Sequence, residues 1–424
     1  MSRRLHKALR RALRLLSRPL RAATGRGGFV LQPYRGYGSR DEVFLIGRIF
    51  RQPTFGSRLR GESVARLLIE VARRLLSWGV ADATLVARFY GAEQRVITDR
   101  DGYFRVHMRP AGPPPAQRRW HAMELELVEP TEIVAAGEVF LPPANCRHVV
   151  ISDIDDTIME TGVANKIKMI WRLFMQGAES RVAFPGVAAL LQALHRGASG
   201  FEANPMLYVS RAPWSIYEIL DEFFNLHEIP VGPILFLREW GLTLQSPLPR
   251  RAQDHKLDLI RNILALYREL PFVLIGDSGQ RDPEVYTQIV RAHPGRVLAI
   301  YIRNVTRDPA RHRAIEALAL EVVEAGSSLV LAADSLAIAE HAAAHGLIAP
   351  DALAEVARER EVEQGEPDLR PTFEIGRASP GETRRVVTGE LEQALDQESG
   401  AEAPVNVVLE AEEQPGEPRL RQRK

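Results

Sequence analysis

Val149-Val150-Ile151-Ser152-Asp153-Ile154-Asp155-Asp156-Thr157 is a β-branched apolar run that ends in acids. The run predicts a buried strand, and the strand delivers Asp-x-Asp-x-Thr at its carboxyl end. In extended chain, residues i and i+2 project to the same side, so Asp153 and Asp155 can flank one reacting centre. Downstream, short apolar runs alternate with helical stretches. Strands are expected at His148–Ser152, Met206–Ser210, Ile234–Leu237, Phe272–Ile275, Val297–Ile302 and Ser328–Ala332. Helices are expected at Val187–His195, Ser215–Phe224, Lys256–Tyr267 and Pro283–Ala292. This alternation predicts an α/β domain with a doubly wound, Rossmann-like parallel sheet. Such sheets bind ligands outside the carboxyl ends of their strands, which is where the acids fall.

The later strand ends carry matching chemistry. Leu207-Tyr208-Val209-Ser210 ends in a hydroxyl that can donate to a phosphoryl oxygen. Lys256 opens a helix as a cation able to offset phosphate charge. Phe272-Val273-Leu274-Ile275 runs into Gly276-Asp277-Ser278-Gly279-Gln280-Arg281-Asp282, again with carboxylates at a carboxyl end. Singly, Ser210 reads as a helix cap, Lys256 as a surface charge and Asp277 as a turn residue. Their shared placement at strand ends and a helix start favours one site.

The order Asp153-x-Asp155-x-Thr157, Ser210, Lys256, Gly276-Asp277-x4-Asp282 resembles the four-motif set of haloacid-dehalogenase-type phosphohydrolases. More narrowly, Ser152–Ile158, Tyr208-Val209-Ser210-Arg211-Ala212-Pro213-Trp214 and Gly276–Glu284 resemble the actin patch protein family of magnesium-dependent phosphatidate phosphatases. The resemblance covers about residues 145–310, and Arg211 stands where the family's Ser-Asn-x-Pro-Trp pattern has Asn. It implies a haloacid-dehalogenase-like fold with a small cap. It also implies Asp153 as the nucleophile that forms an aspartyl-phosphate and Asp155 as general acid, then base. Thr157, Ser210, Arg211 and Lys256 would bind the phosphoryl group. The implied Mg²⁺ ligands are Asp153, Asp155 through its backbone carbonyl, and Asp277, with Asp282 at the edge, behind them or bridged through water.

The flanking sequence divides the chain into four parts. Residues 1–28 contain a basic amphipathic segment: Leu5, Leu9, Leu13, Leu16 and Leu20 fall on one helical face among many arginines. It reads as a segment lying on an anionic membrane surface, as a transit peptide, or as a helix packed on its own protein. Residues 40–145 read as a small all-β sandwich with a helical period at Gly61–Ser77 and a hairpin turn at Asp99-Arg100-Asp101-Gly102. Residues 146–350 are the α/β domain. Within it, Asn165–Gln176 interleaves apolar and basic residues, as a helix packed under the sheet or as a lid admitting acyl chains. Residues 351–424 hold 18 Asp/Glu against 10 Lys/Arg with sparse apolar residues, a composition that predicts mostly disorder.

The 424 residues carry a net charge of +1, with a basic head, an acidic tail and a near-neutral body. A nucleic-acid-binding core would itself be basic, so no nucleic-acid partner is expected. The single cysteine, Cys146, excludes an intrachain disulfide and suits a reducing compartment, hence a cytoplasmic protein peripheral to a membrane. The leading expectation is a Mg²⁺-dependent phosphatase converting phosphatidate to diacylglycerol. The alternatives are the same chemistry on a soluble phosphomonoester or phosphoprotein, and a non-catalytic lipid-binding scaffold.

Overall fold

The computed structural model describes residues 23–52, 78–158, 184–211, 214, 217–237, 252–363, 373–376, 406–410 and 421–423. The amphipathic segment 1–22, the helical period at 61–77 and the Asn165–Gln176 stretch lie outside the described residues.

The first part of the chain is β-rich and antiparallel apart from one parallel strand pair. Its strands are Ala23–Thr24 (β1), Phe29–Pro33 (β2), Gly36–Gly38 (β3), Val43–Arg51 (β4), Trp78–Gly79 (β5), Thr84–Phe89 (β6), Ala92–Ile97 (β7), Tyr103–Met108 (β8), Trp120–Glu129 (β9) and Ile133–Phe140 (β10). They form one ten-stranded hydrogen-bonded sheet, ordered β1-β2-β4-β3-β10-β9-β6-β7 with β5 and β8 on β4. The sequence predicts a small sandwich here; the strands form a single hydrogen-bonded network because the nine-residue β4 pairs with β2, β3, β5 and β8. Alternate residues, among them Leu45, Leu85, Phe104, Leu125 and Val139, share one core. At the expected hairpin, Asp99 Oδ1 accepts from the amides of Asp101 and Tyr103 at 3.1 and 2.9 Å, which is turn chemistry.

The α/β domain follows in strict alternation: Val149–Asp153 (β11), Val187–Arg196 (α1), Met206–Ser210 (β12), Tyr217–Leu226 (α2), Ile234–Phe236 (β13), Ala252–Leu266 (α3), Phe272–Asp277 (β14), Asp282–Ala292 (α4), Val297–Arg303 (β15), Pro309–Glu324 (α5), Ser328–Ala332 (β16) and Ser335–Ala344 (α6). The six strands are parallel, in the order β13-β12-β11-β14-β15-β16. Beside β11 the strand order reverses direction, so the carboxyl ends of β11 and β14 flank the topological switch point. The sheet is buried on both faces, and its side chains alternate between them. Val150, Tyr208 and Ile275 pack with α1, α2 and α6, while Ile151, Val209 and Leu274 pack with α3, α4 and α5.

A twelve-residue helix, Ala352–Glu363 (α7), occupies the start of the stretch whose composition predicts disorder. Three contacts override composition. Val356 is buried, Glu359 accepts from the free amides of Ala188 and Ala189 at the start of α1, and Arg360 pairs with Asp334 at 2.6 Å. Beyond it, Phe373–Gly376 (β17), Asn406–Glu410 (β18) and Arg421–Arg423 (β19) continue the sheet outward from β16. Segments this short vanish in a composition averaged over seventy residues.

The two parts meet through aromatic rings. Tyr34, in the loop after β2, stacks on Trp214 at 4.8 Å and meets the Tyr217 ring at a tilt, centroids 4.3 Å apart. Beside it the buried Arg35 pairs with the buried Asp221, and the Arg35 amide donates to Tyr217 Oη at 3.0 Å. Trp214 lies four residues after Ser210, so this contact joins the antiparallel part to a residue close to the end of β12.

At the opposite end of the sheet, Asn204 joins three chain segments. Its Oδ1 accepts from the amides of Arg147 and His148, and its Nδ2 donates to Leu194 O and faces His148 Nε2 at 3.3 Å. Burial pushes the His148 imidazole down to about 4. The unfolded chain therefore takes up the proton first, and the stabilisation present above about pH 6.5 is lost as pH falls toward 4. We expect the stability advantage of wild type over His148→Gln to shrink by up to about 3 kcal/mol between pH 7.5 and 4, read by urea denaturation.

Candidate active site

Three carboxylates converge at the switch point. Asp153 ends β11, Asp277 ends β14 and Asp282 opens α4; each places one oxygen within 4.8 Å of the others, and all are buried. The loop between Asp277 and Asp282 turns back on itself, and the Asp277 amide donates to Asp282 Oδ2 at 3.3 Å. Gly276 makes room for this return, since a Cβ there would overlap the Asp282 carboxylate. Pro283 and Glu284 then start α4 with the residue types a helix N-terminus favours.

Lys256 reaches this cluster from α3. Its Nζ donates to Asp153 Oδ1 at 2.8 Å and Asp282 Oδ1 at 2.6 Å, and it lies 5.3 Å from the ring centroid of Tyr286. Burial works against the ammonium, but Asp153 and Asp282 outweigh it and hold Lys256 well above its ordinary value. Burial pushes the Asp153 carboxyl well above the usual range; Lys256 opposes this, and Asp282, Asp155 and Asp277 add to it. Asp277 is pushed up to about 7, by burial first and Asp282 next. Three buried acids facing one ammonium explain both shifts.

That imbalance defines what the cluster can hold. With all three carboxylates ionised, the state a bound cation would favour, they and the one ammonium carry two negative charges, the complement of one divalent cation. Asp153 Oδ2 and Asp277 Oδ2 are buried with no hydrogen-bond partner among the described residues. Buried carboxylate oxygens left unpaired are costly, and hard oxygen ligands suit Mg²⁺. The donor set therefore fits the ion that the sequence implies.

Asp155 takes a different position. Its Oδ2 accepts from Ser210 Oγ and from the Arg211 amide, both at 3.2 Å, so its carboxylate faces β12 and is not part of the acid trio. Its backbone carbonyl accepts from Gln280 Nε2 at 3.0 Å. Asp156 follows at φ 59°, a left-handed turn that Asp tolerates and that lifts the chain off the strand end. Thr157 Oγ1 and Arg211 Nε are buried without a partner among the described residues, polar atoms available to a bound group. Lys256, expected on the phosphoryl group, is engaged by the two carboxylates. Asp282, expected at the edge, sits inside the cluster.

Three residues with no assigned chemistry also belong to the site. Gln280 donates its amide to Asp277 Oδ1 at 2.8 Å, besides reaching the Asp155 carbonyl. Arg303, at the end of β15, donates to Thr157 O at 3.1 Å and Ser335 Oγ at 2.8 Å, with its guanidinium 4.3 Å over Phe184. Its place at a strand's carboxyl end was a usable signal. Arg311 on α5 reaches the loop 278–284 and had no local signal at all. His255 bonds Leu237 O through Nδ1, and no histidine joins the acid trio among the described residues.

Similar proteins share this part of the chain. Residues 148–304 match the family described as "Phosphatidate phosphatase APP1, catalytic domain". Phosphatidate phosphatase APP1 of Saccharomyces cerevisiae is 35% identical over 154 residues, 36% of this chain and 25% of that protein. An uncharacterized protein of Schizosaccharomyces pombe is 28% identical over 159 residues, 38% of this chain and 25% of that one. The match thus spans a quarter of the length of each relative. Among solved structures, a carbohydrate acetylesterase from Xanthomonas citri aligns over 68% of this chain and 72% of its own, at 10% identity and a TM-score of 0.22.

Removing the Lys256 ammonium leaves buried carboxylates facing one another. Breaking a buried ion pair on one side costs about 3–5 kcal/mol. We expect Lys256→Met to lose stability on that scale in chelator-containing buffer, read by urea denaturation.

Proposed function

From the match of residues 148–304 to the family of phosphatidate phosphatase APP1 catalytic domains, we propose that this chain is a phosphoric monoester hydrolase that converts phosphatidate to diacylglycerol and phosphate. The observation that carries the reading is the buried convergence of Asp153, Asp277 and Asp282 beside Lys256 at the switch point. In this reading the α/β domain is a haloacid-dehalogenase-like phosphohydrolase, with Asp153 and Asp155 leaving one strand end for separate tasks.

Asp153, Asp277, Asp282 and the Asp155 carbonyl would hold Mg²⁺. The ion would offset the charge of a phosphate dianion among carboxylates, whose mutual repulsion otherwise forbids approach. The Asp153 carboxylate attacks phosphorus, the ester P–O bond breaks, and the diacylglycerol oxygen leaves with a proton from Asp155. Water then attacks the aspartyl-phosphate, Asp155 takes the water's proton, and inorganic phosphate departs with Asp153 restored. Ser210 Oγ and the Arg211 amide, 3.2 Å from Asp155 Oδ2, orient that carboxyl group for both proton transfers. Lys256 holds Asp153 Oδ1 so that the nucleophile keeps one rotamer through the cycle.

Phosphate release from phosphatidate-containing vesicles in Mg²⁺ tests the assignment. We expect wild type to turn over and Asp153→Asn, close in shape, to fall to background while remaining folded by circular dichroism. Asp155→Asn is expected to lose about 10²–10⁴-fold in kcat. Faster release from sugar or nucleotide phosphates than from phosphatidate would replace the lipid by a soluble substrate.

The arginine-rich segment 1–22 would supply the attraction to an anionic surface that a lipid substrate requires. No helix among the described residues is long and apolar enough to cross a membrane. We expect the full chain to float with phosphatidate vesicles at low salt and a version lacking residues 1–28 to stay in the bottom fraction.

A further inference from the structure

Asp277 and Asp282 are the two ends of one short loop, and that loop is braced from outside the site. Arg311 extends from the first turn of α5. Its Nε donates to Ser278 O at 2.8 Å and its Nη2 to Gln280 O at 2.6 Å. The same guanidinium grips Glu284 in two places, Nη1 to Oε1 at 2.6 Å and Nη2 to Oε2 at 3.1 Å. One planar group thus satisfies two loop carbonyls and a carboxylate in the first turn of α4. Such a fork geometry is specific to arginine. Gln280, whose carbonyl is held, directs its amide to Asp277 Oδ1 and its side chain to the Asp155 carbonyl. Arg311 lies beyond residues 148–304, so the matched family pattern assigns it nothing.

We propose that Arg311 is a positioning residue that sets the affinity of the acid cluster for its divalent cation. It acts through Gln280: the brace holds the loop so that Gln280 ties the turn after β11 to the turn after β14, and the oxygens of both turns keep their separation. The inference rests on the cation reading given above. A ligand set fixed before the ion arrives costs less to order when it binds. Loosening the brace should therefore weaken cation binding without touching an oxygen that ligates the ion.

The test is the thermal unfolding midpoint of the full chain titrated with Mg²⁺ alone, without substrate. Wild type, Arg311→Lys and Arg291→Ala are compared. Arg291 provides the control, because its Nη1 pairs with Glu321 at 3.1 Å and ties the same two helices, α4 and α5, on an exposed flank. We expect the Mg²⁺ concentration for half the thermal shift to rise about tenfold in Arg311→Lys and to stay at the wild-type value in Arg291→Ala. Phosphate release should need the same tenfold more Mg²⁺ while the KM for phosphatidate at saturating Mg²⁺ is unchanged. Should Arg311→Lys fail to fold, Glu284→Gln decides, with an expected rise of about threefold. An Arg311→Lys half-point equal to wild type overturns the proposal, as does an equal rise in Arg291→Ala. A wild type that gains no stability from Mg²⁺ overturns the cation reading itself, and this inference with it.

Discussion

Packing three carboxylates into the interior against a single ammonium is the constraint on which the rest of the molecule depends. Each buried acid would rather be in water, and the Lys256 contacts at 2.6–2.8 Å compensate only part of that loss. The remaining negative charge is tolerated because the fold leaves little freedom to relax it. Asp153 is fixed by a strand hydrogen-bonded on both sides, Asp277 by the neighbouring strand, and Asp282 by the start of a helix. A parallel sheet whose order reverses beside β11 is what brings those three backbone positions together. A site that is electrostatically unfavourable when empty is one that favours a cation.

Around this cluster the supporting contacts come from distant parts of the chain. Arg303 grips the turn that carries Asp155 and Thr157, and Arg311 grips the loop that carries Asp277 and Asp282. Both arginines donate to backbone carbonyls at the ends of secondary structure, where intrachain partners run out. The different settings of Asp153 and Asp155 have the same origin. They share a strand end, yet Lys256 engages one and Ser210 with the Arg211 amide engages the other. Different partners give two neighbouring acids different surroundings.

Much of this was legible in the sequence because it is local. The Asp-x-Asp-x-Thr run, the Gly276-Asp277 strand end and the alternation of strands and helices are short-range patterns, and Met206–Ser210 and Ser328–Ala332 appear with the boundaries they imply. What escaped is what depends on tertiary contact. Sequence spacing places Asp155 beside Asp153, but only the position of β12 turns its carboxylate toward Ser210. Composition makes residues 352–363 look uncommitted, whereas Glu359 finds the open amides of α1 more than 160 positions earlier in the chain, at Ala188 and Ala189. Likewise, no reading of separate short strands reveals that β4 serves four neighbours. Long-range partners leave no periodicity to detect.

The same logic sets how much of the chain holds the acids in place. The matched family region ends at residue 304, yet Arg303 is steadied by Ser335, the acid-bearing loop by Arg311, and the start of α1 by Glu359. On the other side, the antiparallel part presents Tyr34 to Trp214 and Arg35 to Asp221, so two residues that follow Ser210 are contacted by residues nearly two hundred positions upstream. Tyr34 joins the same apolar cluster as Tyr208 and Ile275 of the parallel sheet. Cutting the chain at the borders of the family match would therefore expose that aromatic face and remove Ser335, Arg311 and Glu359. The unit that holds the acids in place runs from the antiparallel sheet through α7, and the motifs are only its most recognisable part.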